Sequence, residues 1–116
     1  MTGTNDLSIR LEGEHTIRTI GETATIFGRA LHKAGPIVLD CSGISEVDIS
    51  FVQLVIAARA SANALGRDLR VDPPAEGALL TCLTDGGFLE HTPEIPSDRR
   101  EFWLNRGGAD TDGGRR

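Results

Sequence analysis

The side chains that could perform chemistry are few and scattered along the chain. The chain has three histidines, at His15, His32 and His91. None of them has another histidine or cysteine at the sequence spacing that a metal site requires. The sequence contains no GxSxG, phosphate-loop or GxGxxG motif. We therefore predict a protein that is not an enzyme and that needs no metal or other cofactor.

Three acidic residues, Asp40, Glu46 and Asp48, follow one another within a short stretch. A cluster of carboxylates could bind a metal ion. The alternative is a solvated loop with helix caps, and the sequence favours this alternative because three acids spread over nine residues are weak evidence for a metal site.

Ser50 is the residue with the most defined candidate role, because it stands at the start of the apolar helical pattern DISFVQLVIAARASANALG, residues 48–66. Ser50 and Gln53 have the spacing of a capping box, although Asp48 could equally be the cap. The preceding strand places this helix start where open α/β sheets carry functional loops. A phosphate on Ser50 would face free N–H groups and the positive end of the helix dipole.

Periodicity predicts the elements that position these residues. LSIRLEG (7–13) is typical of a strand, HTIRTI of a short hairpin partner, and PIVLDC of a buried central strand. Helices are predicted near 19–34, with a capping box from Thr19 to Glu22, and near 50–65. RDLRVD predicts a further strand and AEGALLTCLTDGG a helix near 75–85. SGISEVD, between PIVLDC and the second helix, is predicted to be a loop.

This order predicts an α/β fold with a mixed sheet of four to five strands and about three main helices. The predicted domain covers residues 1–90, and residues 91–116 form a C-terminal extension. Within the extension, 97–105 could form a short helix, with Phe102 and Trp103 docked on the domain or on a partner. The composition beyond Gly107 is typical of a disordered end.

Charge and composition exclude several classes of partner. Residues 1–90 hold 12 acidic against 7 basic residues and so carry the whole net charge of −5. An acidic domain without a basic stripe is a poor binder of nucleic acid or of anionic membranes.

No signal segment or membrane span is evident, and Cys41 and Cys82 are predicted to be buried, reduced thiols. We therefore expect the protein to be located in the cytoplasm.

The stretch IVLDCSGISEVDISFVQLVIAARASANALGRDLRVDPP resembles the STAS domain, the fold of bacterial anti-sigma factor antagonists. That resemblance covers roughly residues 7 to 90 and implies a partner that is an anti-sigma factor and serine kinase. The family motif D-S-S-G places Asp48 at its aspartate and Ser50 at its phosphorylated serine. Ile49 departs from the first serine, and Phe51 replaces the glycine, which is expected to crowd Ser50 with an aromatic ring. The variant D-I-S-F-V-Q-L is similar to a subgroup of STAS proteins, some of them linked to chemotaxis-type signalling.

Two functions remain open. The first is a partner-switching regulator that is phosphorylated on Ser50. The second is a constitutive scaffold or accessory subunit of a signalling (chemotaxis-type) or lipid-transporter complex, in which Ser50 only caps a helix. A nucleotide sensor is a weaker third reading without a phosphate loop to support it. Genes adjacent to this one would separate these functions, and an oligomer is compatible with each.

A contact surface is predicted along one side of the second helix. Its apolar stripe is predicted to face the core and to contain Phe51, Leu54, Val55, Ala58, Ala62 and Leu65. Val52 and Ile56 point away from that stripe, toward the polar Arg59. We therefore predict that Asp48, Ser50, Val52, Ile56 and Arg59 bind the partner. The alternative is that the loop 41–47 or a neighbouring helix covers Val52 and Ile56.

Overall fold

The computed structural model describes residues 7–90 and 97–104, with only the backbone described over 97–99. Strands and helices alternate over most of this range. The elements are β1 (Leu7–His15), α1 (Ile20–Leu31), β2 (Ile37–Val47), α2 (Ile49–Ala64), β3 (Leu69–Val71), α3 (Gly77–Asp85) and α4 (Ser97–Leu104). The α/β class predicted from the alternation is confirmed.

The sheet differs from the prediction in its number of strands and their direction. Over the described residues it has three strands in the order β1-β2-β3, and both pairings are parallel. The segment HTIRTI was expected to add an antiparallel strand. Instead β1 continues to His15, and the backbone N–H of Thr19 donates to the Thr16 carbonyl (2.9 Å) in a turn. The Thr19 hydroxyl accepts from the Thr16 N–H (3.0 Å), so the threonines here stabilise a turn rather than a strand.

The central strand β2 is longer than predicted, because SGISEV, all but the last residue of the predicted loop SGISEVD, continues it to Val47. Two irregularities in its pairing with β1 let this polar stretch follow the neighbouring strand. Gly43 lies at the first of them, where an added Cβ would stand 3.1 Å from the Leu11 carbonyl oxygen and 2.8 Å from Glu12 Cγ. The chain can pass this close to β1 because Gly43 has no side chain.

One face of the sheet is apolar and the other is polar. The buried cluster includes side chains from all three strands and all four helices, among them Leu39, Phe51, Leu79 and Trp103. On the opposite face, neighbouring positions of β1 and β2 carry polar pairs such as Arg10 beside Asp40. The helices therefore cover one side of a half-solvated sheet.

Helix α1 begins without the predicted capping box. Thr19 is its N-cap residue, but its side chain makes no capping hydrogen bond. The Thr19 hydroxyl instead donates toward the carbonyls of Glu14 (3.1 Å) and Thr16 (3.2 Å). The threonine thus ties the helix start back to the end of β1.

The short helix α4 packs against the domain. Trp103 is 1% exposed and Phe102 is 9% exposed, and the backbone N–H of Ala75 donates to the Trp103 carbonyl (2.9 Å). The expectation that these aromatic side chains dock is confirmed, and the chain itself provides the docking surface. The expected disordered end beyond Gly107 lies outside the described residues.

Candidate functional site

The N-terminus of α2 is capped by Asp48 rather than by Ser50. Asp48 has extended backbone angles, and its Oδ1 accepts from the Ser50 backbone N–H (3.0 Å). The Ser50 hydroxyl donates to the same oxygen. The alternative in which Asp48 is the cap is therefore confirmed, and the predicted Ser50–Gln53 capping box is wrong, since Ser50 lies in the first turn and supports the cap.

The same carboxylate joins two segments that are far apart in the sequence. Asp48 Oδ2 accepts from the backbone N–H of Ile17 at 2.9 Å. His15 is the register partner of Val47, so the ends of β1 and β2 lie side by side. We call the Ile17–Asp48–Ser50 set of hydrogen bonds the Asp48 bridge. It fixes the turn after β1 against the first turn of α2.

The electrostatics of the bridge favour an ionised carboxylate. The Ser50 hydroxyl, followed by the Ile17 N–H, holds the pKa of Asp48 below its usual range, although some burial opposes this. A neighbouring acid is also stabilised: the Thr16 hydroxyl and Arg18 lower the pKa of Glu14. Asp48 therefore carries a full negative charge at neutral pH, directly beside the Ser50 hydroxyl.

Two isoleucines beside the bridge are exposed to solvent. Ile17 is 67% exposed and Ile49 is 50% exposed. Each is adjacent to a group of the bridge, because Ile17 donates to Asp48 and Ile49 lies between Asp48 and Ser50 in sequence. Together they leave apolar surface in solvent beside the hydrogen-bonded polar groups of the bridge. We call Ile17, Asp48, Ile49 and Ser50 the cap surface.

A shallow groove continues the cap surface toward α3. It has a volume of about 550 Å³ and is lined mainly by Val47, Ile49, Ala78, Cys82 and Asp85. Both cysteines are free thiols, but only Cys41 is buried; the prediction that Cys82 would be buried is wrong, since its side chain is half-buried in this groove wall. Burial, followed by the charges of Asp48 and Asp85, raises the pKa of Cys82. A raised pKa lowers the thiolate fraction, so Cys82 is a poor nucleophile.

Phe51 does not crowd Ser50, in contrast to the expectation from its place in the motif. Its side chain is fully buried and lies against His15, with 5.5 Å between the ring centroids. Phe27 packs on it from α1 at 6.5 Å. The aromatic ring thus points into the core. The apolar residues next to Ser50 at the surface are Ile17 and Ile49.

The predicted contact surface on α2 is wrong at Val52, which is fully buried. The physical reason is that α2 is enclosed on more than one side. Phe102 of α4 stacks under Arg59, with the guanidinium carbon 4.5 Å from the ring centroid. Ile56 remains 38% exposed, but it lines a small cavity with Phe88 and the α4 aromatics. The alternative that the chain covers these side chains is therefore confirmed for Val52, whereas Ile56 stays partly in solvent.

The acids predicted as a possible metal cluster each have a separate role. Asp40 accepts from the backbone N–H (3.0 Å) and the hydroxyl (2.6 Å) of Ser42, and these bonds lower its pKa. Glu46 lies 3.9 Å from the Arg18 guanidinium. Across the described residues, no three histidine, cysteine or acidic side chains are arranged to hold a metal ion.

Comparison with known proteins assigns the chain to a family. A family model described as "Mlab, STAS domain" matches residues 2–88, which is most of the chain. A search of curated proteins finds no match. In the part of the chain that the structure describes, none of the helices has the length and apolar character needed to cross a bilayer. The fold, the matched residues and the resemblance of the motif around Ser50 agree, and the protein belongs to the STAS domain family.

Proposed function

We propose that this protein is a non-enzymatic regulatory module that binds a signalling protein through its cap surface, and that phosphorylation of Ser50 weakens that binding. An anti-sigma factor with serine kinase activity is the partner class that the family resemblance implies. The observation that supports this proposal best is the position of Ser50, whose hydroxyl is bonded to Asp48 between two exposed isoleucines.

The chemistry of the Asp48 bridge suggests how a phosphate would act. A phosphorylated Ser50 has lost the proton that it donates to Asp48, and it brings close to two negative charges beside an ionised carboxylate. The phosphate and Asp48 would then compete for the same N–H groups at the start of α2, where the helix dipole favours an anion. Displacement of Asp48 would release the Ile17 N–H, so the modification would move an apolar residue of the cap surface as well as adding charge.

A second candidate function is supported by a different feature of the same geometry. Ser50 is only partly exposed, and its hydroxyl already has a hydrogen-bond partner in Asp48. In a constitutive accessory subunit of a signalling or lipid-transporter complex, Ser50 would serve only to orient the capping carboxylate. The cap surface would then bind its partner permanently, and no phosphate would be added.

The test uses photo-crosslinking in the source cells. A benzoylphenylalanine side chain is introduced at Ile49 or, as the matched control, at Leu65 at the C-terminus of α2. Leu65 is 59% exposed, so its predicted place in the core stripe is wrong. The proposal predicts a discrete crosslinked partner from position 49 and not from position 65. Equal products from both positions would contradict a cap-surface contact.

Mass spectrometry of the uncrosslinked chain from the same cells decides between the two functions. A regulator has phosphate on Ser50 in part of the population, and the Ser50→Ala variant lacks it. Crosslinking at position 49 with no phosphate on Ser50 under any growth condition would support the constitutive subunit and exclude the switch.

A further inference from the structure

The outer edge of β1 is the longest strand edge that the sheet leaves open. β1 lies at one end of the strand order, and over the described residues its only strand partner is β2. It has 9 residues, against 3 in β3 at the opposite edge. An edge of this length presents a row of backbone N–H and C=O groups that can pair with another chain.

The direction of the outward groups follows from the pairing with β2. The Leu7 N–H donates to the Pro36 carbonyl (2.8 Å), so residue 7 faces β2. Because alternate residues of a strand face opposite neighbours, the backbone groups of Ser8, Arg10 and Glu12 point outward. The Glu12 carbonyl accepts from His15 Nε2 (3.1 Å), and a carbonyl oxygen keeps a second lone pair for another donor.

The side chains along this edge are complementary to a second copy of themselves. If two β1 strands pair antiparallel with Leu11 opposite Leu11, each Arg10 stands opposite Glu12 of the second copy. In that register Arg10 and Glu12 have their backbone groups pointing at each other, as a hydrogen-bonded antiparallel pair requires. Both side chains are exposed, at 66% and 63%, and within one chain they already form an ion pair of 2.9 Å.

We propose that this protein forms a two-fold symmetric dimer in which the two β1 strands pair antiparallel and join the sheets into one of six strands. The partner strand at this edge is a second copy of the same chain. In an antiparallel pair, the order Arg10-Leu11-Glu12 sets the positive residue of each copy opposite the negative residue of the other. This contact is isologous, so it closes after two copies. It involves a different edge of the molecule from the cap surface, and it does not depend on the proposed function.

The neighbouring helix supports this arrangement. A groove of about 290 Å³ runs between β1 and α1 and is lined by Leu11, Glu12, Glu22, Thr23 and Ile26 among others. Ile26 is 39% exposed in the single chain. In the joined sheet the two α1 helices lie on the same face, on either side of the two-fold axis, where each Ile26 can lose part of that exposure.

Sedimentation equilibrium of the full chain over a dilution series tests the dimer. Wild type is expected to dimerise, with an affinity that falls as salt is added. Arg10→Glu and Glu12→Arg each place like charges opposite one another at two symmetric positions, so each is expected to raise the dimer Kd by about tenfold or more. The double variant Arg10→Glu/Glu12→Arg restores opposite charges and is expected to recover most of the wild-type affinity.

The single reversals also break the Arg10–Glu12 ion pair within one chain, and the double variant restores it. Urea denaturation of the single variants must therefore show that the monomer keeps its stability before the change in dimer Kd is assigned to pairing between copies. A further variant, Arg10→Pro, removes an outward N–H without removing a bond to β2, and it is expected to abolish the dimer while the chain stays folded by circular dichroism. A wild-type chain that stays monomeric at its highest soluble concentration overturns the proposal. So does a dimer that survives Arg10→Pro or is unaffected by the single charge reversals.

Discussion

The rest of the chain packs differently against two regions of helix α2. At its N-terminus the first turn is fixed by Asp48, and Ile17 and Ile49 remain in solvent. Nearly three turns later, Arg59 lies over the Phe102 ring and Trp103 is buried, so α4 packs against that part of the helix. We call the second region the docked region, comprising Ile56, Arg59, Phe102 and Trp103.

The comparison teaches that an apolar side chain on a polar helix side is not by itself a partner site. In the docked region Phe102 and Trp103 are buried by the packing of the chain's own C-terminal helix, so they contribute to stability. At the cap surface the polar groups are satisfied internally while the apolar groups are left exposed, so they are free to contribute to binding. Substitutions in the docked region should therefore lower folding stability, whereas substitutions of the exposed isoleucines in the cap surface should weaken partner binding.

The largest expected effect is a loss of folding stability from a change in the docked region. Trp103→Ala should lower the free energy of unfolding by about 3–5 kcal/mol, because it removes a buried aromatic side chain and leaves a cavity. The matched control is Arg100→Ala on the exposed side of the same helix, which should stay within about 0.5 kcal/mol of wild type. Urea denaturation measures both. A neutral Trp103→Ala would show that α4 contributes nothing to the domain.

A smaller loss of stability is expected at the cap surface. Asp48→Ala removes the cap of α2 together with the acceptor for the Ile17 N–H, and it should lower the free energy of unfolding by about 1–2 kcal/mol. Asp48→Asn keeps an acceptor oxygen and should cost clearly less. Glu46→Ala, an exposed acid two residues away, is the control. If the Ala and Asn variants were equally stable, the capping hydrogen bonds would not be the source of the effect.

Removal of an exposed isoleucine should affect association and leave folding nearly unchanged. Ile49→Gln should weaken binding of the crosslinked partner by about tenfold, since it removes much of one apolar side chain from the contact. Leu65→Gln, at the far end of α2, should bind like wild type. Both variants should unfold within about 0.5 kcal/mol of wild type. Calorimetric titration provides the affinities, and equal binding by the two variants would place the contact elsewhere.

The smallest expected effect is a change in the pH dependence of stability. The pKa of Asp48 is lowered in the folded chain, so its contribution is complete above the unfolded pKa of about 4 and is lost as the pH falls through the folded pKa. Wild type should therefore lose more stability than Asp48→Asn on acidification below about pH 4. Asp40→Asn is a useful comparison because the pKa of Asp40 is also lowered. Parallel curves for wild type and Asp48→Asn would contradict an ionised cap.

Local sequence patterns predicted the strands and helices more successfully than they predicted which of these elements pack against one another. The strand–helix alternation, the start of α2 and the capping role open to Asp48 all depend on residues close together in the chain. The described residues form three strands rather than the predicted four to five, because HTIRTI has strand-like composition whereas its threonines bond locally in a turn. Local propensity alone could not weigh these two uses of threonine.

The residues missed at the site depend on contacts between distant segments. Ile17 is fixed by a bond from its N–H to Asp48, which comes 31 residues later. Parallel strands end at a common edge, so the residues that follow β1 and β2 could have been placed together from the predicted sheet. Val52 was misplaced because one apolar stripe was assumed for α2, and the packing of α4 could not be predicted from periodicity.

The most direct test of the central claim is a titration of the partner captured at position 49 with three purified forms of the chain. Our account predicts that Ser50→Ala binds close to wild type, whereas Ser50→Asp, with a carboxylate beside Asp48, binds at least about tenfold more weakly, which is about 1.4 kcal/mol. The thermal midpoints must first show that both variants are folded. Equal affinity of Ser50→Asp and Ser50→Ala for that partner would contradict a charge-controlled cap surface.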